Sequence, residues 1–336
     1  VKILLLQLKR IGDLILTTPA IRCLREELPD ARLALIVDSS CAGLLGSIAV
    51  DERWVYKKGG GLRGLAGWGP NAWLKQSLFA FGADWVLDFT GTDRSAFLST
   101  VSFSRRRVTF QRFKKKPLRK YSYTDFVKSS VSERHTADHY TDLLEPLGVK
   151  REGVALDLRL REEDFERARA LLANAGVGDA YVVVHAGAAR REKYWLPERW
   201  ADIVRFLHVE FGLVSILTGS QDPEEREHLS KIKSALRCDC IDVSGKTDLL
   251  GLAAIIKGAR LLCGVDTAAM HLADAMKTPS LVLFGPTNPY HWRPRYARSE
   301  VVRARTRPPF TPQQKGGPME DISVASVVEG VKRLLA

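Results

Sequence analysis

The sequence predicts an α/β fold made of two doubly wound, Rossmann-like domains that face each other across a cleft. The chain has 336 residues, and a single hydrophobic core stops growing at roughly 250–300 residues. Short apolar runs suited to buried parallel strands alternate with helical stretches in two separate parts of the chain. Because the composition shifts near residues 150–180, we predict domains at 1–160 and 161–336.

The first domain opens with a β-α-β pattern. An apolar run at residues 2–8 predicts a buried strand, and a helical stretch at 14–28 ends before Pro29. A second apolar run at 32–37 predicts the next strand, and residues 84–89 predict another strand of the same sheet. This order is typical of the start of a doubly wound sheet.

The second domain shows a more regular alternation of strands and helices. Predicted strands lie at 181–185, 213–218, 240–243, 260–264 and 280–284, and predicted helices lie at 161–175, 196–211, 223–236, 248–257 and 267–276. Two such domains across a cleft form the arrangement called GT-B. Ligands of open α/β sheets bind at the carboxyl ends of the strands. The last helix is a candidate for packing back on the first domain.

Composition and charge limit the class of protein. Lys and Arg outnumber Asp and Glu by 51 to 39, a net charge of +12. This excess favours an anionic partner, which leaves nucleic acid, a phosphorylated substrate and an acidic membrane surface open. No apolar run reaches the roughly 18 residues of a membrane span. The apolar start runs into Lys9 without a signal cleavage site, so we expect a cytoplasmic protein.

The strand-to-helix turn at residues 264–271 carries the strongest site signal. Asp266 or Thr267 is placed to cap the following helix. The first-turn amides, beside the small side chain of Ala268, would form a phosphate site at the helix N-terminus. The alternative is plain capping, with His271 facing the core. The Gly-Pro turn at 285–289 follows the next strand and is expected to enter the same cleft.

Two other strand ends of the second domain carry charged residues. Small residues at 185–189 precede Lys193, which offers a point charge to a phosphate or is simply a surface lysine. Residues 218–220 precede the acids Asp222, Glu224 and Glu225, and which acid near 222–227 has a binding role stays open. An acid there would hold ribose hydroxyls, or it would only compensate the helix dipole.

In the first domain, Asp13 lies at the mouth of the first strand-to-helix turn. Asp is a common helix cap in such a position. If the cleft faces it, Asp13 becomes a carboxylate aimed at the other domain, which suits a general base.

Two further segments have an open interpretation. The glycine-rich segment 59–70 contains no Walker motif, so it is either a surface loop or a mobile loop over an acceptor groove. The segment 105–120 has nine Lys and Arg and no acid. Such a run is usually a solvated face, but a local positive field would also attract an anionic surface.

Several segments resemble one enzyme family in the same order along the chain. KILLLQLKRIGDLILTTPAIRCLREELPDARL is similar to the opening of the ADP-heptose:lipopolysaccharide heptosyltransferases, which form glycosyltransferase family 9. VVVHAGAARREKYWLPERW, LTGSQDPEERE and CGVDTAAMHLADAMKTPSLVLFGPTNPYHW resemble its later motifs. LTTPAI and HYTDLLEPLG look closest to the heptosyltransferase III branch, which adds a third heptose to the inner core.

The resemblance implies a GT-B enzyme that transfers heptose from ADP-heptose to the lipopolysaccharide inner core. It implies inversion at the anomeric carbon and no essential metal or other cofactor. Asp13 matches the general base, and Lys193 matches the lysine that contacts the donor phosphates. The remaining matches are donor-binding residues: Asp266, Thr267 and Ala268, His271 on the same helix, and Glu224 as the acid that holds the ribose.

The resemblance also has departures and alternatives. Some members carry hydroxyl residues where Ala188 and Ala189 stand, and Gly in place of Ala268, which leaves the exact sugar open. A different nucleotide sugar or acceptor on the same fold is the alternative. A dinucleotide-dependent oxidoreductase would need a Gly-x-Gly-x-x-Gly motif after a strand, and residues 8–12, which follow the first strand, offer only one glycine. The chain shows no clear nucleic-acid-binding motif, so we expect no nucleic-acid partner, but peripheral contact with the anionic inner face of the inner membrane.

Overall fold

The computed structural model describes residues 1–57, 71–116, 119–178, 180–304 and 308–336. The contacts divide the chain into two compact units, Val1–Arg159 and Leu160–Ala336. The division falls one residue before the position expected from the sequence. The glycine-rich segment 59–70 lies outside the described residues.

The first unit is built on a six-stranded parallel sheet in the order β3-β2-β1-β4-β5-β6. Its strands are β1 (Lys2–Gln7), β2 (Arg32–Asp38), β3 (Glu52–Tyr56), β4 (Trp85–Asp88), β5 (Arg106–Phe110) and β6 (Asp125–Val127). Its helices are α1 (Ile11–Glu27), α2 (Ala72–Phe81), α3 (Asp93–Val101) and α4 (Thr136–Asp142), with short 3₁₀ helices at Ser39–Ser47, Gln111–Lys115, Arg119–Tyr121 and Glu145–Leu147.

The central strands of this sheet are apolar because both faces are covered. Apart from Lys2, every residue of β1 is buried, and so is every residue of β2 after Arg32. β1 pairs in parallel with β2 on one side and with β4 on the other. The strand order reverses there, and ligands of doubly wound folds bind outside the carboxyl ends at such a point. The turn that leads from β1 to α1 lies at this edge.

The second unit repeats the same topology, in the order β12-β11-β10-β7-β8-β9. Its strands are β7 (Tyr181–His185), β8 (Val214–Leu217), β9 (Ile241–Asp242), β10 (Leu261–Val265), β11 (Ser280–Phe284) and β12 (Ser299–Arg303). Its helices are α5 (Glu162–Asn174), α6 (Pro197–Phe211), α7 (Pro223–Ala235), α8 (Leu249–Gly258), α9 (Ala268–Met276), α10 (Pro289–Trp292) and α11 (Val324–Leu335), with 3₁₀ helices at Arg191–Lys193 and Met319–Asp321.

In this sheet the order reverses between β7 and β10, which pair with His185 opposite Gly264. The segments that follow these two strands therefore leave the sheet side by side. Both units have the doubly wound, Rossmann-like topology expected from the sequence, and the predicted α/β fold class is confirmed.

The last helix, α11, buries one face in the second unit. Its buried residues Val327, Val331 and Leu334 recur every three or four positions and so form one apolar face. That face belongs to the core of the second unit, together with Leu281 of β11 and Val302 of β12. The buried face of α11 therefore packs on its own sheet, and the expected packing of this helix on the first domain stays a prediction.

In the described ranges of the chain, no helix is both long enough and apolar enough to cross a bilayer.

Candidate functional site

Asp13 lies in the first turn of α1, but its carboxylate does not cap the helix. The N-cap position is Arg10, which makes no side-chain capping bond. The hydroxyl of Tyr140, from α4, donates to Asp13 Oδ1 at 2.5 Å. The ammonium of Lys9 lies 3.9 Å from the same oxygen. Asp13 is thus held by side chains, and the capping interpretation does not apply to it.

Positive charge gathers around Asp13. Lys9 Nζ donates to Tyr140 Oη at 3.1 Å, and burial lowers the pKa of Lys9 although Asp13 opposes this shift. The guanidinium of Arg112 lies over the ring of Phe113, 4.7 Å from its centroid. Its pKa is lowered by partial desolvation, and the negative charge of Asp13 opposes this shift. The sequence grouped Arg112 only with the basic run and gave no sign of this position.

His139 is a neutral neighbour of this group. Its ring stacks on Phe110 at 3.8 Å between centroids, and its Nδ1 lies 2.8 Å from the hydroxyl of Ser129. Burial lowers the pKa of His139 to about 3, and the positive charges of Arg112, Lys9 and Arg134 act in the same direction. His139 therefore stays uncharged at neutral pH and is not a candidate proton donor there.

This depressed pKa predicts a pH-dependent stability. The unfolded chain takes up a proton at His139 near pH 6.5, whereas the folded chain does so only near pH 3, so stability is complete above pH 6.5 and is lost on acidification. Between pH 8 and pH 5, the free energy of unfolding should fall by about 2 kcal/mol more in the parent than in His139→Gln. Urea titrations at several pH values measure this.

The control is His208→Gln, a substitution at an exposed position. It should keep the parent's dependence on pH. An equal fall in the parent and in His139→Gln would contradict the prediction.

In the second unit, three strand ends meet at Asp266. Lys193, which follows β7, donates from Nζ to both the backbone oxygen and Oδ2 of Asp266, each at 2.7 Å. Thr287, which follows β11, donates from its hydroxyl to the same Oδ2 at 2.6 Å. The side chains of Lys193 and Asp266 are only 15% and 9% exposed. Lys193 is therefore a fixed cation beside β10, and Thr287 is a member of the group that the sequence did not single out.

Helix α9 begins directly after Asp266 with its first turn uncapped. The N-cap residue is Thr267, and no side chain caps the helix there. The hydroxyl of Thr267 is buried and finds no hydrogen-bond partner within the described ranges. Amides and a hydroxyl in this state suit an anion with several acceptor oxygens. Ala268 opens the helix, and His271, in its first turn, is buried, as the core-facing alternative expected.

The three acids at the start of α7 have different surroundings. Asp222 caps α7 and accepts from the amides of Glu224 and Glu225 at 3.0 and 3.2 Å. The side chain of Glu224 is 58% exposed, with Arg191 at 3.8 Å. Glu225 is buried and accepts from the hydroxyl of Ser220. A Cβ added to Gly187 would come within 2.0 Å of Glu225 Oε1. The structure thus brings Glu225, not Glu224, to the carboxyl ends of β7 and β8.

The class of the protein follows from comparison with known families. Residues 72–322 match the model of glycosyltransferase family 9 (heptosyltransferase). This match covers well over half of the chain and reaches from the first domain into the last elements of the second. The chain belongs to this family and is a glycosyltransferase, as the sequence resemblance predicted.

Individual relatives agree with the family assignment. Lipopolysaccharide heptosyltransferase 3 of Escherichia coli (strain K12) is 26% identical over 293 residues, which cover 84% of this chain and 82% of that protein. A glycosyl transferase family 9 structure from Veillonella parvula DSM 2008 has a TM-score of 0.85 at 23% identity and covers 99% and 97% of the two chains. ADP-heptose lps heptosyltransferase II of E. coli has a TM-score of 0.81 at 20% identity, with 100% and 98% covered. The predicted GT-B class is thereby confirmed.

Proposed function

We propose that this enzyme transfers heptose from ADP-heptose to the inner core of lipopolysaccharide, with inversion at the anomeric carbon. The names of its relatives, which state ADP-heptose and lipopolysaccharide, support the substrates. The observation that carries the donor assignment is the uncapped start of α9 beside the Lys193–Asp266 pair. In this proposal the second domain binds the donor and the first domain binds the acceptor.

The donor's diphosphate would lie at the start of α9. The first-turn amides and the Thr267 hydroxyl would donate to phosphate oxygens, and Ala268 is small enough to let them approach. Lys193 would supply the positive charge. As the bond between the anomeric carbon and the phosphate oxygen breaks, negative charge grows on the ADP that leaves. Donors already aimed at that charge stabilise the transition state without reorganisation.

The ribose assignment is best made to Glu225. A carboxylate that holds two ribose hydroxyls must be fixed next to the strand ends. Glu225 is buried there, against Gly187 and Ser220. Glu224, the match suggested by the sequence, points to solvent near Arg191 and remains the alternative.

ADP binding tests the donor site. Lys193→Ala, which removes the cation, and Thr267→Pro, which removes an amide and the hydroxyl, should each weaken ADP binding about 10- to 100-fold, because a hydrogen bond to a charged group contributes about 1.5–3 kcal/mol. Isothermal titration calorimetry measures this. The control is Lys332→Ala, at an exposed lysine of α11, which should bind ADP like the parent.

The neighbouring acids give a matched pair in the same titration. Glu225→Gln should weaken ADP binding and Glu224→Gln should not. If Glu224→Gln weakens ADP binding and Glu225→Gln does not, Glu224 is the acid that holds the ribose. If Lys193→Ala and Thr267→Pro both bind ADP as tightly as the parent, the donor does not bind at this site.

The proposed base is Asp13. The acceptor hydroxyl would attack the anomeric carbon on the face opposite the leaving ADP, through a transition state of oxocarbenium character. One C–O bond forms and one breaks, ADP leaves with the bonding electron pair, and Asp13 takes the proton of the attacking hydroxyl. Lys9 and Arg112 lie next to Asp13, and their charges suit an anionic acceptor.

Asp13→Asn should lower kcat about 10²–10⁴-fold, the usual contribution of a general base, and should leave ADP affinity unchanged. Stability should change little, because Asp13 does not cap α1 and an Asn oxygen still accepts from Tyr140. Turnover of ADP-heptose on a truncated lipopolysaccharide core measures kcat.

The matched control is Asp93→Asn, which changes another acid in the first turn of a helix in the same unit. We expect parental turnover from it. Near-parental turnover by Asp13→Asn would show that Asp13 is not the base.

The basic segment, residues 105–120, is proposed to bring the enzyme to an anionic membrane surface. The described part of the segment is anchored at Gly91. The ring of Phe113 packs so closely on this glycine that an added Cβ would lie 1.9 Å from a ring carbon. Arg119 donates to the backbone oxygen of Gly91 at 2.6 Å. Lys114, Lys115 and Lys116 are exposed on this fixed segment. Each Lys near an anionic surface contributes about 1 kcal/mol.

Co-sedimentation with liposomes tests this contact. The enzyme should bind anionic and not neutral liposomes, and salt should weaken binding because it screens the charges. Changing Lys114, Lys115 and Lys116 to Gln should reduce binding about 10-fold or more, with ADP affinity unchanged.

The control changes three exposed lysines of the second unit, Lys231, Lys257 and Lys332, to Gln. It alters net charge equally and should bind like the parent. If the two triple variants bind anionic liposomes equally, the segment has no specific role in membrane contact and is only a solvated face.

A further inference from the structure

The carboxylate of Asp13 is held through one of its two oxygens. Oδ1 accepts from the hydroxyl of Tyr140 at 2.5 Å and lies 3.9 Å from the ammonium of Lys9. In the part of the chain that the structure describes, Oδ2 has no hydrogen-bond partner. The side chain is 17% exposed. One oxygen is thus occupied by the protein, and the other is left for a substrate.

The direction of the hydrogen bond from Tyr140 is fixed by Lys9. An ammonium group can only donate, so the contact of 3.1 Å between Lys9 Nζ and Tyr140 Oη uses the phenol oxygen as the acceptor. The single proton of the phenol is then directed to Asp13 Oδ1. Lys9 and Asp13 are one turn apart around the start of α1, whereas Tyr140 comes from α4, 127 residues further along the chain than Asp13.

The packing of Tyr140 makes this donor rigid. Its side chain is 1% exposed, its ring meets Phe89 edge-on at 5.8 Å and lies 6.5 Å from Phe110. Burial, followed by the charge of Asp13, raises the pKa of Tyr140 well above its usual value. The phenol therefore keeps its proton at neutral pH.

We propose that Tyr140, directed by Lys9, is a positioning residue that fixes the carboxylate of Asp13 so that Oδ2 accepts the proton of the acceptor hydroxyl. This inference rests on the proposed function, in which Asp13 is the base. Tyr140 keeps its own proton throughout, and only the acceptor's proton moves, to Oδ2. A base that is misplaced by about 1 Å can lose on the order of 10²-fold in rate, so the role is kinetic.

The test is Tyr140→Phe, which keeps the ring and removes the donor. We expect kcat to fall roughly 10- to 100-fold, with the KM for the acceptor and the affinity for ADP changed less than about 2-fold. A loss of structure would instead lower kcat, ADP binding and thermal stability together.

A double-mutant cycle separates positioning from a structural effect. If Tyr140 acts through Asp13, Tyr140→Phe should cost little further turnover in the Asp13→Asn background, because residues that act as a unit are not additive. Losses that multiply in the double variant would overturn the inference.

Tyr123→Phe is the matched control. Tyr123 is also buried in the first unit, and its hydroxyl donates to a buried carboxylate, Asp88, at 2.5 Å. This variant loses the same kind of hydrogen bond away from Asp13, and we expect a comparable fall in melting temperature with kcat near that of the parent.

The results distinguish the role of Tyr140 from the role of Asp13. Parental kcat in Tyr140→Phe with an inactive Asp13→Asn would overturn the role of Tyr140 alone. Parental kcat in Asp13→Asn would overturn the base itself. If Tyr140→Phe does not fold, Lys9→Met is tested instead, because it frees the phenol to rotate. Lys9→Met should lower kcat in the parent and cause no further loss in the Asp13→Asn background. Parental kcat in Lys9→Met would overturn the inference.

Discussion

Parallel pairing on both sides of β1 and of β7 is the constraint on which the candidate site depends. Parallel strands are joined by crossover connections that run over the faces of the sheet, and the order of strands reverses between β1 and β4 and between β7 and β10. The segments after β1 and β4, and those after β7 and β10, then leave the sheet side by side. Lys193 reaches Asp266 across 73 residues of sequence because of this reversal. The chemistry of each domain is thus placed by topology first and by side chains second.

The same pairing explains which strands the sequence could predict. Both faces of β1, β2, β7, β10 and β11 are covered, so these strands are nearly continuous apolar runs and are visible in the sequence. By contrast, β3 and β12 lie at the edges of their sheets and contain Glu and Arg among their few apolar residues. β5 lies inside the basic segment and begins with two arginines, so its apolar residues form too short a run to predict a strand. These two edge strands bury less surface, and their apolar patterns are correspondingly weak.

Site residues could be predicted from the sequence where the end of a strand alone determines their position. Lys193, Asp266 and Thr267 were expected from the ends of β7 and β10, and they do lie together. The choice between Glu224 and Glu225 was not predictable, because successive helical residues point about 100° apart and the phase of α7 depends on which acid caps it. Asp222 takes the cap, and this turns Glu225 inward. The turn at 285–289 was expected near this site from the end of β11, but the hydrogen bond from Thr287 to Asp266 and that from Tyr140 to Asp13 depend on tertiary contacts that no local pattern carries.

The two domains hold their candidate site residues in place in different ways. A group that meets the substrate must be held still before the substrate arrives, since ordering it later costs free energy. Lys193 has three donors, and Asp266 accepts two of its hydrogen bonds. In the proposed donor site, the third donor is left for a phosphate, and the paired carboxylate balances the buried charge. Asp13 is held by a neutral phenol instead. If Asp13 is the base, as proposed, a closer cation on Oδ1 would draw charge away from the oxygen that takes the proton, whereas a phenol directed by Lys9 fixes the carboxylate and keeps the ammonium 3.9 Å away. A lysine paired with a carboxylate suits a site for a leaving phosphate, and a carboxylate held by a tyrosine suits a base.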